Sequence, residues 1–161
     1  MLTKTASAEE IEAYMNKYGI TYKDKDMNGL PLIVYAIINK NDSVFDKALE
    51  ESDLSIILKA QMGTDKVDLL GFAALQTNKY ACEKLMAKGF NFESTKEKEN
   101  PLVLAVRNNN MISLRFIVEV LKVDVSDLKI PMAWSGSIDA EKYCRDKNRI
   151  EMANYLASKK K

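Results

Sequence analysis

Very few residues of this chain are of a type and spacing that could do chemistry. There is no histidine. That removes Ser-His and Cys-His nucleophile pairs, and with them the commonest general base and metal ligand. The two cysteines, Cys82 and Cys144, stand far apart, each inside a helical pattern. Two cysteines without histidine cannot build a structural zinc site, and both read as small buried apolar residues. The six glycines are scattered, so there is no phosphate-cradling loop. Ser126-Asp127-Leu128-Lys129 has the Ser-x-x-Lys spacing of some Ser-Lys hydrolases, but the companion Ser-Asp-Asn and Lys-Thr-Gly motifs are missing. Asp24 and Asp26, among lysines, read as a solvated turn rather than an acid–base or metal pair. Asn41-Asp42-Ser43 is a glycosylation sequon that matters only in a eukaryotic secretory pathway. The expectation is a non-catalytic protein without cofactor or metal.

Charge and composition narrow the classes further. With 24 basic and 23 acidic residues the net charge is +1, which creates no field for nucleic acid or anionic membrane. Lys159-Lys160-Lys161 reads as a solvated tail. No apolar run approaches the length of a membrane span, and Met1 to Glu12 lacks the apolar core of a signal peptide. The chain is expected to be cytoplasmic. Its 161 residues, 47% apolar and 29% charged, suit one globular domain or one short repeat array. Only three prolines and six glycines favour helices joined by short loops.

Self-similarity organises those helices. Four short helical segments each begin near a small residue: Ala36-Ile37, Ala73-Ala74, Ala105-Val106 and Cys144. Each is followed by a polar break (Lys40-Asn41-Asp42, Thr77-Asn78, Asn109-Asn110, Asn148-Arg149) and then by a second apolar helix. The second helices carry paired apolar residues one turn apart. They are Val44, Phe45, Ala48 and Leu49; Ala81, Cys82, Leu85 and Met86; Ser113, Leu114, Ile117 and Val118; Met152, Ala153, Leu156 and Ala157. None could bury that stripe alone, whereas stacked neighbours could. Before them, Ser7 or Ala8 starts a partial unit with Glu9, Glu10 and Glu12 in its first turns, Ile11, Tyr14, Met15 and Tyr18 on its apolar side, and Gly19 as its stop.

These residues resemble the ankyrin family, whose repeat of about 33 residues carries a Thr-Pro-Leu-His-x-Ala signature. Asn100-Pro101-Leu102-Val103-Leu104-Ala105-Val106 matches it apart from the Thr and His, and the segment from Asp26 through Gly29 and Pro31 to Ala36 resembles the longer form. Phe72-Ala73-Ala74-Leu75, Leu85 through Gly89 to Phe92, and Asp139 through Cys144 and Asn148 to Leu156 resemble further pieces of the same unit. The resemblance implies an all-α, ankyrin-like solenoid: one domain over 1–161, with a cap helix over 7–19, repeats over 26–66, 67–93 and 94–123, and a degenerate repeat over 124–158. A tetratricopeptide or HEAT-like array is the alternative. The single Trp, lying in an insertion, counts against the former. The missing Thr and His leave loop rigidity in question.

Spacing then picks out two connections. Ala36 to Ala73 is 37 residues, Ala73 to Ala105 is 32, and Ala105 to Cys144 is 39. Two connections therefore exceed the family's repeat by roughly four and six residues, near 52–67 and 124–138. The first carries Leu54, Ile56, Ile57, Leu58 and Met62, the second Leu128, Ile130, Pro131, Met132 and Trp134. For Leu54, Ile57 and Leu58 the favoured reading is padding of the core. For Ile130, Met132 and Trp134, core padding and an exposed binding anchor stand level. An exposed Trp offers large contact area at low entropic cost.

In the family, the residues after the small pair point into a concave groove, and the connections form fingers beside it. The resemblance thus implies groove positions Ile38, Asn39, Leu75, Gln76, Arg107, Asn108, Asp146 and Lys147, and finger tips Met27, Asn28, Thr64, Asp65, Lys96 and Glu97. The partner-binding set expected from both arguments is Asn28, Ile38, Asn39, Asp65, Leu75, Gln76, Arg107, Asn108, Ile130, Met132 and Trp134. Such a mixed surface suits a protein partner, with no nucleic acid or membrane and a monomer when unbound. The alternative is an inhibitor or immunity-type protein that neutralises a toxin or self-harming enzyme.

Overall fold

The chain opens on a capping box. Glu10 N donates to Ser7 Oγ at 3.1 Å, and Ser7 N donates back to the Glu10 carboxylate at 2.9 Å, so two otherwise orphaned donors are satisfied before the first turn closes. From that box the computed structural model, which describes residues 6–59, 65–134 and 136–160, runs through α1 (Ala8–Tyr18) and then four helix pairs. The pairs are α2 (Leu32–Asn39) with α3 (Asp42–Glu51), α4 (Leu69–Leu75) with α5 (Lys79–Ala87), α6 (Pro101–Arg107) with α7 (Met111–Arg115), and α8 (Ala140–Asp146) with α9 (Ile150–Ala157). The last turns of α7 widen into a π-helical stretch over Phe116–Val120.

One turn recurs inside each pair. One or two residues past the first helix the chain adopts a left-handed conformation: at Lys40 (φ 51°), Thr77 (φ 52°), Asn109 (φ 53°) and Asn148 (φ 57°). The next backbone N–H reaches back to the carbonyl of Ala36, Ala73, Ala105 or Cys144, at 3.0, 3.0, 2.8 and 2.8 Å. This closes each helix as a Schellman-type turn. The four acceptors are the small residues that mark the sequence periodicity. Each is the fifth residue of its helix, so the helices start one turn earlier than the small residues suggest. In three of the four units an Asn then caps the second helix: Asn41, Asn78 and Asn110 accept from the N–H groups of Val44, Ala81 and Ser113.

Helices of five to eleven residues are too short to persist alone, and here they are held by stacking. α4 packs between α2 and α6, α5 on α3, and α1 on α3. The apolar stripes of the second helices lie in the core, including Val44, Phe45, Cys82, Leu85, Leu114, Ile117, Met152 and Leu156. Met86, Val118 and Ala157 at the stripe ends are half-buried. Cys82 and Cys144 are buried free thiols. Polar side chains stitch adjacent units across the stack. Asn41 Nδ2 donates to the Ala6 carbonyl, Asn78 Nδ2 to Ile37, Ser113 Oγ to Leu75, and the Arg149 guanidinium to Val106 and Arg107.

Three expectations need correction. The chain is mostly helical but not all-α, because both enlarged connections form antiparallel ribbons. β1 (Leu58–Lys59) pairs with β2 (Lys66–Val67), and β3 (Lys129–Met132) with β4 (Gly136–Asp139). On α1 only Met15 of the expected apolar side is buried and Ile11 half-buried, while Tyr14 and Tyr18 are each 55% exposed. This helix packs mainly on α3, so a narrower stripe is covered. The C-terminal lysines are not simply solvated. Lys160 Nζ pairs with Asp139 at 3.0 Å and Glu141 at 2.8 Å, and Lys159 lies 5.0 Å from the Tyr155 ring centroid. Lys161 lies outside the described residues.

Candidate protein-binding surface

The β3–β4 ribbon is built from the root outward. Ile130 pairs with Ile138 and Met132 with Gly136. Since strand side chains alternate, Ile130 turns inward and is fully buried where β3 packs against α6 and α8. This removes Ile130 from the expected binding set, because it is a core residue that fixes the ribbon to the stack. Beyond it the ribbon leaves the core. Met132 is 38% exposed, and Trp134, in the tip, is 99% exposed. Asp139 closes the root by capping α8 at Lys142 N and accepting the Lys160 ion pair. Ser135 lies outside the described residues.

Arg107 is placed differently from the free groove contact expected of it. Its guanidinium donates from Nη2 to the Pro131 carbonyl at 2.9 Å and from Nη1 to Glu99 at 3.2 Å, and lies 3.9 Å from Asp65. Asp65 is therefore half-covered in the same cluster. Glu99 is itself fixed: its N–H donates to the Lys66 carbonyl at 2.7 Å and its carboxylate accepts from Ser94 Oγ. One guanidinium thus ties together the connections before α4, α6 and α8.

The remaining expected residues separate by exposure. In the first finger, Asp26 accepts from the N–H groups of Asn28 and Leu30 and from the Tyr35 hydroxyl. The Tyr35 hydroxyl, then the Leu30 N–H, hold its carboxyl down at about 2, so it is ionised and the turn stays locked across ordinary pH. That turn presents Met27 at 98% exposure with Asn28 beside it. Ile38 is 44% exposed, and Asn108, Asp146 and Lys147 are open to solvent. Asn39, whose amide donates to the Tyr35 carbonyl, and Leu75 and Gln76 are half-covered. Lys96 and Glu97 are exposed, whereas Thr64 and Met62 lie outside the described residues.

The first enlarged connection behaves unlike the second. Leu58 is buried and Leu54 half-buried, as padding requires, while Ile57 is 37% exposed. Leu54 and Ile57, with Ile56 and Phe90, line an open cleft of about 470 Å³. At its edge Lys98 Nζ meets Asp68 at 2.6 Å.

Among the described residues no group of three His, Cys, Asp or Glu side chains is placed to hold a metal, and no helix is long and apolar enough to cross a membrane. No family model matches the chain, and no curated protein matches it in sequence. Among solved structures, the fold is similar to that of a chain in the complex of a predatory endopeptidase from Bdellovibrio bacteriovorus with an immunity protein. The TM-score is 0.52, the identity 15%, and the match covers 94% of this chain and 75% of that one.

Proposed function

We propose that this chain is a small, non-catalytic ankyrin-like protein that binds and neutralises an enzyme, an immunity-type inhibitor rather than a general scaffold. The observation that carries the reading is the Trp134 finger: a wholly exposed indole on a ribbon whose root is buried at Ile130 and braced by Arg107. An exposed Trp held at low conformational cost is the kind of side chain that dominates protein interfaces. Two further features support it. The turn repeated after Ala36, Ala73, Ala105 and Cys144 suits a four-unit ankyrin-like stack. The complex that the fold is similar to pairs an endopeptidase with an immunity protein.

The surface proposed to meet the enzyme runs from Met27 and Asn28, past Ile38 and Asn108, to Met132 and Trp134. These residues are apolar tips and neutral amides, which suits a folded protein better than a polyanion. The test is capture from the native organism followed by mass spectrometry, comparing the wild type with the Trp134→Ala, Met132→Ala double variant. The expected result is a stoichiometric enzyme whose activity falls on adding the wild type, and whose affinity for the variant drops by roughly 30-fold or more. A captured partner that keeps full activity when saturated would overturn the inhibitory reading.

A further inference from the structure

Arg107 sits where three connections meet, and its contacts are directional. The Pro131 carbonyl it holds lies one residue before Met132 and three before Trp134. On the other side it grips Glu99, which is anchored to the Lys66 carbonyl, and approaches Asp65. Ile130 fixes the root of the ribbon, but a buried aliphatic side chain does not set the direction in which a two-stranded ribbon leaves the core. A charge-assisted hydrogen bond from a planar guanidinium does, because its donors are fixed in a fork.

We infer that Arg107 is the positioning residue of the binding surface: it aims the Trp134 finger and locks the second, third and fourth fingers into one rigid unit. The inference rests on the proposed role of Trp134 as an anchor, and it adds the class of surface that the finger fits. A pre-aimed, rigid tip joined to its neighbours matches a preformed depression on a folded protein. It does not match a flexible peptide, which would need loops able to close around it. Arg107 acts through the finger and need not touch the partner.

The test needs no partner, so its failure is separable from failure of the proposed function. Trp134 is the single Trp of the chain, and its fluorescence reports the finger alone. In Arg107→Gln, with the helical signal and cooperative melt retained, we expect faster local depolarisation of Trp134 at unchanged overall tumbling. We also expect amide exchange over Lys129–Met132 and Gly136–Asp139 to quicken about tenfold, the scale of one charge-assisted hydrogen bond. Arg107→Lys keeps the charge but not the fork, and should recover only part of the loss. Unchanged depolarisation and exchange in a folded Arg107→Gln would overturn the inference. So would full rescue by Lys, since charge alone would then suffice. If both variants unfold, Arg107 supports the stack rather than aims the finger, and the inference also fails.

Discussion

Asn78 Nδ2 donates to the carbonyl of Ile37 at 3.0 Å, bridging 41 positions of chain, while Oδ1 of the same amide accepts from Ala81 N at 3.1 Å. One side chain therefore caps α5 and joins two units of the stack. The bridges of Asn41, Asn78, Ser113 and Arg149 lie in the turn after each first helix or in the first turn of the second, and each reaches back to a backbone carbonyl of the preceding unit.

Removing that amide should therefore cost more than an ordinary cap. Asn78 is 3% exposed, so Asn78→Ala loses a helix cap worth about 1 kcal/mol and the buried bond to Ile37, about 1 kcal/mol more, while Lys40 N still donates to that carbonyl at 3.2 Å. Urea unfolding should show a loss of roughly 2 kcal/mol. Asn78→Asp keeps the acceptor but loses the donor, and should fall between the wild type and Ala. A loss below about 0.5 kcal/mol for Ala, the level of an ordinary surface change, would show that the bridge is incidental.

The left-handed turn just before it offers a gain. Thr77 holds φ 52° although it is β-branched, a conformation costing such a residue about 1–2 kcal/mol. Equivalent positions carry Asn109 and Asn148, a type that tolerates it better. The bond from Lys40 Nζ goes mainly to the Thr77 backbone carbonyl at 3.2 Å and survives substitution. Thr77→Asn should raise the thermal midpoint by about 2–4 °C, the size expected of ~1 kcal/mol in a domain of this length. A lower midpoint would mean that the hydroxyl matters more than the backbone strain.

Alkaline pH should find the buried thiols. Burial, with a smaller contribution from the Glu83 charge, pushes Cys82 up to about 12. The folded chain keeps a proton there that the unfolded chain releases near pH 9, so folding is favoured fully below that value and stability falls as pH rises toward 12. Tyr22 and Tyr155, also raised to about 12 mainly by burial, act in the same direction. Comparing urea midpoints at neutral and alkaline pH, Cys82→Ala should lose less stability than the wild type. Equal losses would show that Cys82 ionises without unfolding. In the native state at pH 8, neither Cys82 nor Cys144 should react with a thiol reagent.

What could be read from the amino acids follows how local the controlling physics is. Ala36, Ala73, Ala105 and Cys144 stand out because close stacking demands a small side chain at a fixed place in every unit, a constraint visible in residue type. Asn41, Asn78 and Asn110 mark helix starts for an equally local reason. The β3–β4 ribbon was not legible. Lys129-Ile130-Pro131-Met132 shows no clean alternation, and Pro argues against a strand except at an edge; in a two-stranded ribbon every strand is an edge. The use of Arg107 was hidden for another reason, since its partners Glu99 and Pro131 are 8 and 24 residues away. Exposure of Tyr14 and Tyr18 depends on which helices lie beside α1, which no local pattern encodes.

The ribbon allows stability and binding to be separated within four residues. Ile130 is fully buried and Trp134 is 99% exposed. Ile130→Ala opens a core cavity and should cost about 2–4 kcal/mol of stability, with partner binding weakened only as far as the ribbon loosens. Trp134→Ala removes no packing and should leave unfolding within about 0.5 kcal/mol of the wild type. The same change should weaken partner binding by about 2 kcal/mol or more, the level of an interface hot spot. Paired denaturation and titration of both variants separate the two roles. If Trp134→Ala destabilised the fold as much as Ile130→Ala, the indole would be packing on the stack in solution, and the finger could not serve as a free anchor.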